Sequence, residues 1–404
     1  MRKLILTLGV ILIAVALLGP FATGKMAESA VMDNQAETQA SLPPWLELVE
    51  PAFERGWFSS RASARVIITD PQVRDRVRGF LGADQFGDQP AVILDSVVTH
   101  GPLIGLLTPG FAEVRTQFLT EGDAETTLPV RLKTLVGLGG TVTMDWMLDN
   151  GSYDADTTKL LWQDVTARHV VRPNSSDIDL GIAASQFAID REVDPVSVNE
   201  LNIDWNSNRI DGRVFSEVRT TGSLIADEQE PINLGLTLGI GNLNPNAVAP
   251  VMRILQLMAN NPEMPAPVKL KVIESDLKTL FSDEFSLVID QNMSADEAPG
   301  SVMQTRAEVN FAAVEAMPEP FDVNRLVERA TRGGQSTASM VVNQTMFEAL
   351  QARDPLTQQW FLQLQGLGAL IPEENGDGYV MQMDYADALI TLNGIPIPLP
   401  PEAR

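Results

Sequence analysis

Few residues in this chain could do chemistry. Its 404 residues include two histidines and no cysteine, so no thiolate nucleophile, disulfide or zinc–thiolate site is available. His100 and His169 lie in different strand-like stretches, and no HExxH helix is present. His100, just before Gly101-Pro102, reads as a strand-end residue bonded to backbone. His169, between Arg168 and Val170, reads as an exposed strand residue. Gly137-Leu138-Gly139-Gly140 hints at a nucleotide loop, but the third glycine is misplaced and a strand follows where a helix is needed, so it reads as a hairpin turn. Two acidic turns, Asp149 to Asp156 and Glu373 to Asp377, could hold calcium, yet neither is a twelve-residue loop closed by glutamate. Asp177 and Asp179 alternate with Ile178 and Leu180, which could pair carboxylates for glycoside chemistry. A solvated face of an antiparallel sheet explains them as well. No residue is therefore assigned a catalytic, cofactor or metal role, and no cofactor is expected.

The elements that would carry such residues are mostly strands. Val142, Met144, Trp146 and Leu148 alternate with Thr141, Thr143, Asp145 and Met147. Ile232, Leu234, Leu236, Leu238 and Ile240 are interleaved with Asn233, Gly235, Thr237 and Gly239. Strict alternation means a half-buried strand with one wet face. Asn150-Gly151, Pro173-Asn174 and Asp211-Gly212 mark turns between such runs. The stretch from about 91 to 240 is thus expected to be an antiparallel meander. From Asn246, taken as a helix cap, the period changes: Val248, Val251, Met252, Leu255 and Met258 recur at helical spacing. Further helices are expected near Ile273–Phe281, at Val323–Ala330, and from Met346 to Leu370 with a break at Asp354-Pro355. The last of these places Leu356, Trp360, Leu364 and Leu367 on one face. A closing hairpin alternates Tyr379, Met381, Met383 and Tyr385, and a loose proline-rich tail is expected from Pro396.

At the N-terminus, Leu4 to Ala22 carries no charge and follows Arg2-Lys3. About 20 apolar residues span a bilayer core, and basic residues stay on the cytoplasmic side. A cleaved signal peptide, cut near Ala22-Thr23-Gly24, is the alternative. Either reading exports the remainder of the chain. Hydrophobic residues make up 44% of the sequence, enough for a sizeable core without disulfides. The net charge of −24 argues against nucleic acid and against lying flat on anionic lipid.

Three short blocks in order carry a family resemblance: Arg55-Gly56-Trp57-Phe58-Ser59-Ser60 before a strand, Val98-Thr99-His100-Gly101-Pro102, and Ile390-Thr391-Leu392-Asn393-Gly394. With the N-terminal segment ending in Thr23-Gly24-Lys25, the chain resembles the YdgA-like family, a domain of unknown function in Gram-negative envelopes. The resemblance implies a protein anchored in the inner membrane by one helix, with its bulk in the periplasm. It brings no catalytic residues.

The expected fold is α+β: a long curved antiparallel sheet with a few packed helices, on an N-terminal transmembrane helix. The expected segments are an anchor at 1–24, a helical stalk at 25–50 and a periplasmic domain at 51–404, with sub-lobes 51–245 and 246–404. The expected role is non-enzymatic, as scaffold, partner binder or handler of an apolar ligand such as lipid, with an apolar groove at Leu234, Leu236 and Leu238. Homo-oligomerisation fits as well. The alternative is an envelope polysaccharide hydrolase using paired carboxylates.

Overall fold

The computed structural model describes residues 46–71, 74–75 and, outside short stretches, 91–397. The apolar N-terminal segment and most of the expected stalk lie outside the described residues, as do Gly101 and Pro102. Among the described residues no helix is long and apolar enough to cross a membrane. The described chain is β-rich: antiparallel sheet with a few helices. It divides into two compact units, Met1–Ser175 with Asp179–Phe187, and Ser176–Ile178 with Ala188–Arg404.

The strands of the first unit are β1 (Leu46–Glu54), β2 (Ser59–Ile68), β3 (Ala91–His100), the two-residue strands β4 (Leu103–Ile104) and β5 (Thr108–Pro109), β6 (Ala112–Thr120), β7 (Thr126–Val136), β8 (Val142–Leu148), β9 (Gly151–Ala155), β10 (Thr158–Gln163) and β11 (Val165–Val171). β12 (Ile178–Arg191) straddles the boundary between the units. The ladder runs β1–β2–β3–β6–β7–β8–β11–β12, antiparallel throughout. Residues 46–50, expected as stalk, form the start of β1. Leu46 and Leu48 alternate with Glu47 and pair with Ile68 and Val66, a period-two pattern that suits a strand. One face of this ladder carries cross-strand ion pairs such as Arg61–Asp95 at 3.4 Å and Lys133–Glu113 at 3.6 Å. Exposed pairs of this kind contribute little to stability. His169 stands between Leu180 and Met144 and is half-buried, not exposed as expected.

The strands of the second unit are β13 (Val196–Ile210), β14 (Arg213–Ala226), β15 (Ile232–Leu243), β16 (Phe285–Ala295), β17 (Val302–Phe311), β18 (Ser336–Asn343), β19 (Ile371–Pro372), β20 (Gly378–Ala386), β21 (Leu389–Leu392) and β22 (Ile395–Ile397). Asp211 and Gly212, both with positive φ (50° and 78°), make the tight β13–β14 hairpin that two left-handed residues allow. Pro396, expected in a loose tail, lies in β22, which pairs with β21. A missing N–H is tolerated on an edge strand.

Six helices are described in this unit: α1 (Pro245–Asn260), α2 (Ala266–Val272), α3 (Glu274–Leu280), α4 (Val323–Arg332), α5 (Gln344–Arg353) and α6 (Pro355–Gly366). The cap of α1 is Asn244, whose Oδ1 accepts from Asn246 N–H at 3.0 Å; Asn246 itself is already helical. The buried stripe of α1 also differs from expectation. Ala247, Val248, Val251 and Ile254 face the core, whereas Leu255 and Met258 are exposed. In α6 the inward residues are Phe361 and Leu364, while Trp360, and Leu367 just after the helix, point to solvent. Helical spacing identified the elements but left their rotation open by about one residue.

Candidate functional site

On β15 the alternating pattern puts Leu234, Leu236, Leu238 and Ile240 on one face. Register extends that face across the ladder: Leu238 opposes Ile289, Ile289 opposes Ala307, Ala307 opposes Ala338, and Ala338 opposes Met383. These five residues form one row perpendicular to the strands. Helices cover the face on both sides of it. At one end α1, α3 and α4 close over Leu243, Phe285 and Phe311 in a cluster with Phe281, Leu326 and Ala330. At the other, α5 and α6 bring Phe347 and Phe361 over Met293, Met303, Met340, Val342 and Tyr379. The row between stays open. Leu238 is 45% and Ile289 47% exposed, with Leu287 and Met383 exposed beside them. At about 4.8 Å per strand, four inter-strand steps make an apolar trough about 19 Å long. Ala307 and Ala338 lower its middle.

The trough's rims are fixed differently. Beneath the α1 cap, Arg213 donates to both oxygens of Asp283, at 2.8 and 3.1 Å, and Asn244 Nδ2 donates to the same carboxylate at 2.9 Å. Arg213 and then Asn244 hold the Asp283 carboxyl down to about 2, below the usual carboxylate range. Arg253 on α1 reaches Asp276 on α3, a carboxylate side chain only 12% exposed. The α5–α6 cap is instead packed by aromatic and thioether side chains, with Phe347 against Phe361 and Tyr379 at centroid distances of 4.9 and 4.6 Å.

The first two sequence blocks meet in the first unit. Ser59 pairs with Thr99 and Ser60 with Val98. The Ser60 Oγ and His100 Nε2 share a hydrogen bond of 2.9 Å, and Ser60 Oγ also accepts from Gly56 N–H. His100 N–H donates to Phe58 O. Gly56 approaches so closely that a Cβ there would stand 2.0 Å from Ser59 O. Arg55 and Gly56 thus make a tight turn whose tip presents Trp57, 50% exposed, and Phe58, 54% exposed. Ser60 and His100 form a serine–histidine pair, and both are buried. Sequence reasoning missed Ser60 as the partner of His100, since only strand register brings residues forty apart together.

The third block lies in the second unit. Asn393 and Gly394 take positive φ (49° and 76°) at the β21–β22 turn. Asn393 Oδ1 accepts from Gln382 N–H, and its Nδ2 donates to the carbonyls of Gly368 and Ala369. This block is a tie between hairpin and α6 cap.

The remaining candidates do not assemble. Asp179 pairs with Arg172 at 2.9 Å, and Asp177 precedes β12. Asp149 pairs with Arg131, and Asp154 with Lys159 on the β9–β10 hairpin. No cluster of three metal-ligating side chains occurs among the described residues. Gly137 and Gly140 close the β7–β8 hairpin, as their pattern predicts.

The family model for a bacterial protein of unknown function, DUF945, matches residues 1–214. No curated protein and no solved structure matches the chain.

Proposed function

The chain belongs to DUF945, a family of bacterial proteins of unknown function, and from that premise we propose that it handles an acyl chain of lipid in the cell envelope. In this reading it is a YdgA-like protein held in the inner membrane by Leu4–Ala22, with its bulk in the periplasm and no catalytic step. The observation that carries the proposal is the open row Leu238–Ile289–Ala307–Ala338–Met383 between two helical caps. An apolar face is normally closed by the helices laid on it. Here the caps stop short, and the exposed length of about 19 Å suits one acyl chain, since half a bilayer core is about 15 Å. Each methylene taken up there gains about 0.8 kcal/mol. The trough lacks charged side chains in its row, so it offers nothing to hold a headgroup.

Photo-crosslinking in cells tests this directly. A benzophenone amino acid at position 289 faces the trough, and one at 290 faces the reverse side of the same strand. Lipid adducts at 289 and none at 290 are expected by mass spectrometry. Adducts to a protein at 289 would replace the lipid with a partner. Equal lipid labelling at both positions would overturn the trough.

A further inference from the structure

The reverse face of the same strands carries a second feature, independent of the acyl-chain reading. β13 is bulged: its register with β14 shifts between Asn199 and Asn202, with Glu200 at φ 51°. Opposite the bulge, Gly222 approaches so closely that a Cβ would stand 2.8 Å from Val198 Cγ1. The displaced backbone and the bare Gly235 leave an open cavity of about 320 Å³. Register places Thr221 opposite Gly235 and Gly235 opposite Asn292, with Ser223, Asn233 and Ser294 in the next row. Asn202 and Glu200 complete the rim, and Asn202 Nδ2 donates to the Glu200 carbonyl at 2.9 Å.

We propose that this cavity binds a neutral saccharide. Apart from Glu200 and Leu234, its side chains are amides and hydroxyls, which both donate and accept hydrogen bonds, as sugar hydroxyls do. They stand on rigid strands, about 5 Å apart across the ladder and about 7 Å along it, a grid that suits groups fixed around a ring. Among the described residues no lysine or arginine lines the cavity, so phosphate and carboxylate groups find no counter-charge there. Glu200 and the net charge of −24 repel anions further. Its volume falls within the range of small-molecule sites. Among the described residues no aromatic ring lines it, so recognition rests on hydrogen bonds and weak binding is expected.

Saturation-transfer difference NMR on the full chain, kept in a detergent without a sugar headgroup, tests this with two neutral disaccharides, chitobiose and maltose, and one anionic control, digalacturonate. Transfer to at least one neutral probe and none to the control is expected. Gly235→Val fills the floor, where a Cβ meets nothing closer than 3.8 Å, and valine suits a strand. It should weaken the signal at least tenfold. Asn292→Leu, at an exposed position, should do the same and serves if the first variant does not fold. Leu238→Asp, on the opposite face, should leave saccharide binding unchanged. Silence from both neutral probes, equal transfer to digalacturonate, or undiminished transfer in Asn292→Leu would each overturn the proposal.

Discussion

On β16, Phe285 and Ile289 point the same way, four residues apart, yet Phe285 is 4% exposed and Ile289 47%. The same contrast repeats on β15 between Leu243 and Leu238. Ends of strands are covered and their middle is not. Strand alternation alone cannot produce this difference, because Phe285, Leu287, Ile289, Met293 and Ala295 on the odd face of β16 are all apolar and only Gln291 is polar. It arises from where helices are inserted into the chain: α1–α3 between β15 and β16, α4 between β17 and β18, and α5–α6 between β18 and β19. Each returns the chain to the end of the ladder it left, so cover accumulates at the ends. An uncovered apolar row is thus a consequence of connectivity, and the sheet's length sets how much remains open.

The sharpest way to break the comparison is to remove buried rings from both caps. Phe285→Ala and Phe361→Ala should each cost about 3–5 kcal/mol, the range for a buried ring whose cavity cannot collapse. Chemical denaturation checks this. A loss well below that range at either site would mean that the cap is not closed in solution.

Acid should then separate the two caps. The Asp283 carboxyl is lowered in the folded protein, so its contribution is fully present above about 3.9, the ordinary value, and is lost as pH falls through about 2. Protonation there loosens Arg213 and Asn244 beneath α1, whereas the α5–α6 cap rests on Phe347, Phe361 and Met340. Methionine methyl NMR should show Met252 and Met258 responding in that window, with Met340 and Met346 unmoved by this step. Asp283→Asn should remove the response. If Met340 moves together with Met252 and the variant changes nothing, the caps share one acid transition and the contrast fails.

A smaller effect is expected at Asn393, which links β20 to the carbonyls after α6. Asn393→Ala loses these bonds and puts a less tolerant residue at φ 49°. Urea denaturation should show a loss of about 1–2 kcal/mol, with the α1 cap unaffected. Asn393→Gly should recover the backbone part of that loss and not the side-chain part.

Much of this architecture was legible in the residues, and the reasons are specific. Leu234, Leu236 and Leu238 announced a strand with one apolar face because side chains alternate with period two. Asp211-Gly212 announced a hairpin because tight turns need positive φ, whereas the turn at Asn393-Gly394 was not read, since a loose tail was expected after it. Asn393 also carries a cap contact that only the folded ladder reveals. Cover was not legible, since alternation marks a face without saying what lies on it. Helix rotation was missed for a related reason: α1 and α6 have apolar residues on more than one side, so Leu255 and Leu367 looked as inward as Val251 and Leu364. Ser60 with His100, and Thr221 with Asn292 across Gly235, are long-range pairs fixed by register.

The smallest expected effect is the most informative about the open row. Ile289→Ala removes three carbon atoms from a side chain that already meets water over nearly half its surface. A fully buried isoleucine truncated this way costs about 2–5 kcal/mol, because a cavity is left and transfer energy is lost. At an open position no cavity forms, and surface substitutions stay within about 0.5 kcal/mol. Urea denaturation of the lipid-stripped protein should therefore place Ile289→Ala within that margin of the parent, and far from Phe285→Ala on the same strand face. The difference should grow when lipid is restored, since a ligand that binds only the folded state stabilises it. Ile289→Ala, with less apolar surface in its trough, should gain less from lipid than the parent does. A loss of about 2 kcal/mol or more in the stripped protein, the lower bound for a buried site, would mean that Ile289 is covered in solution and the row is core.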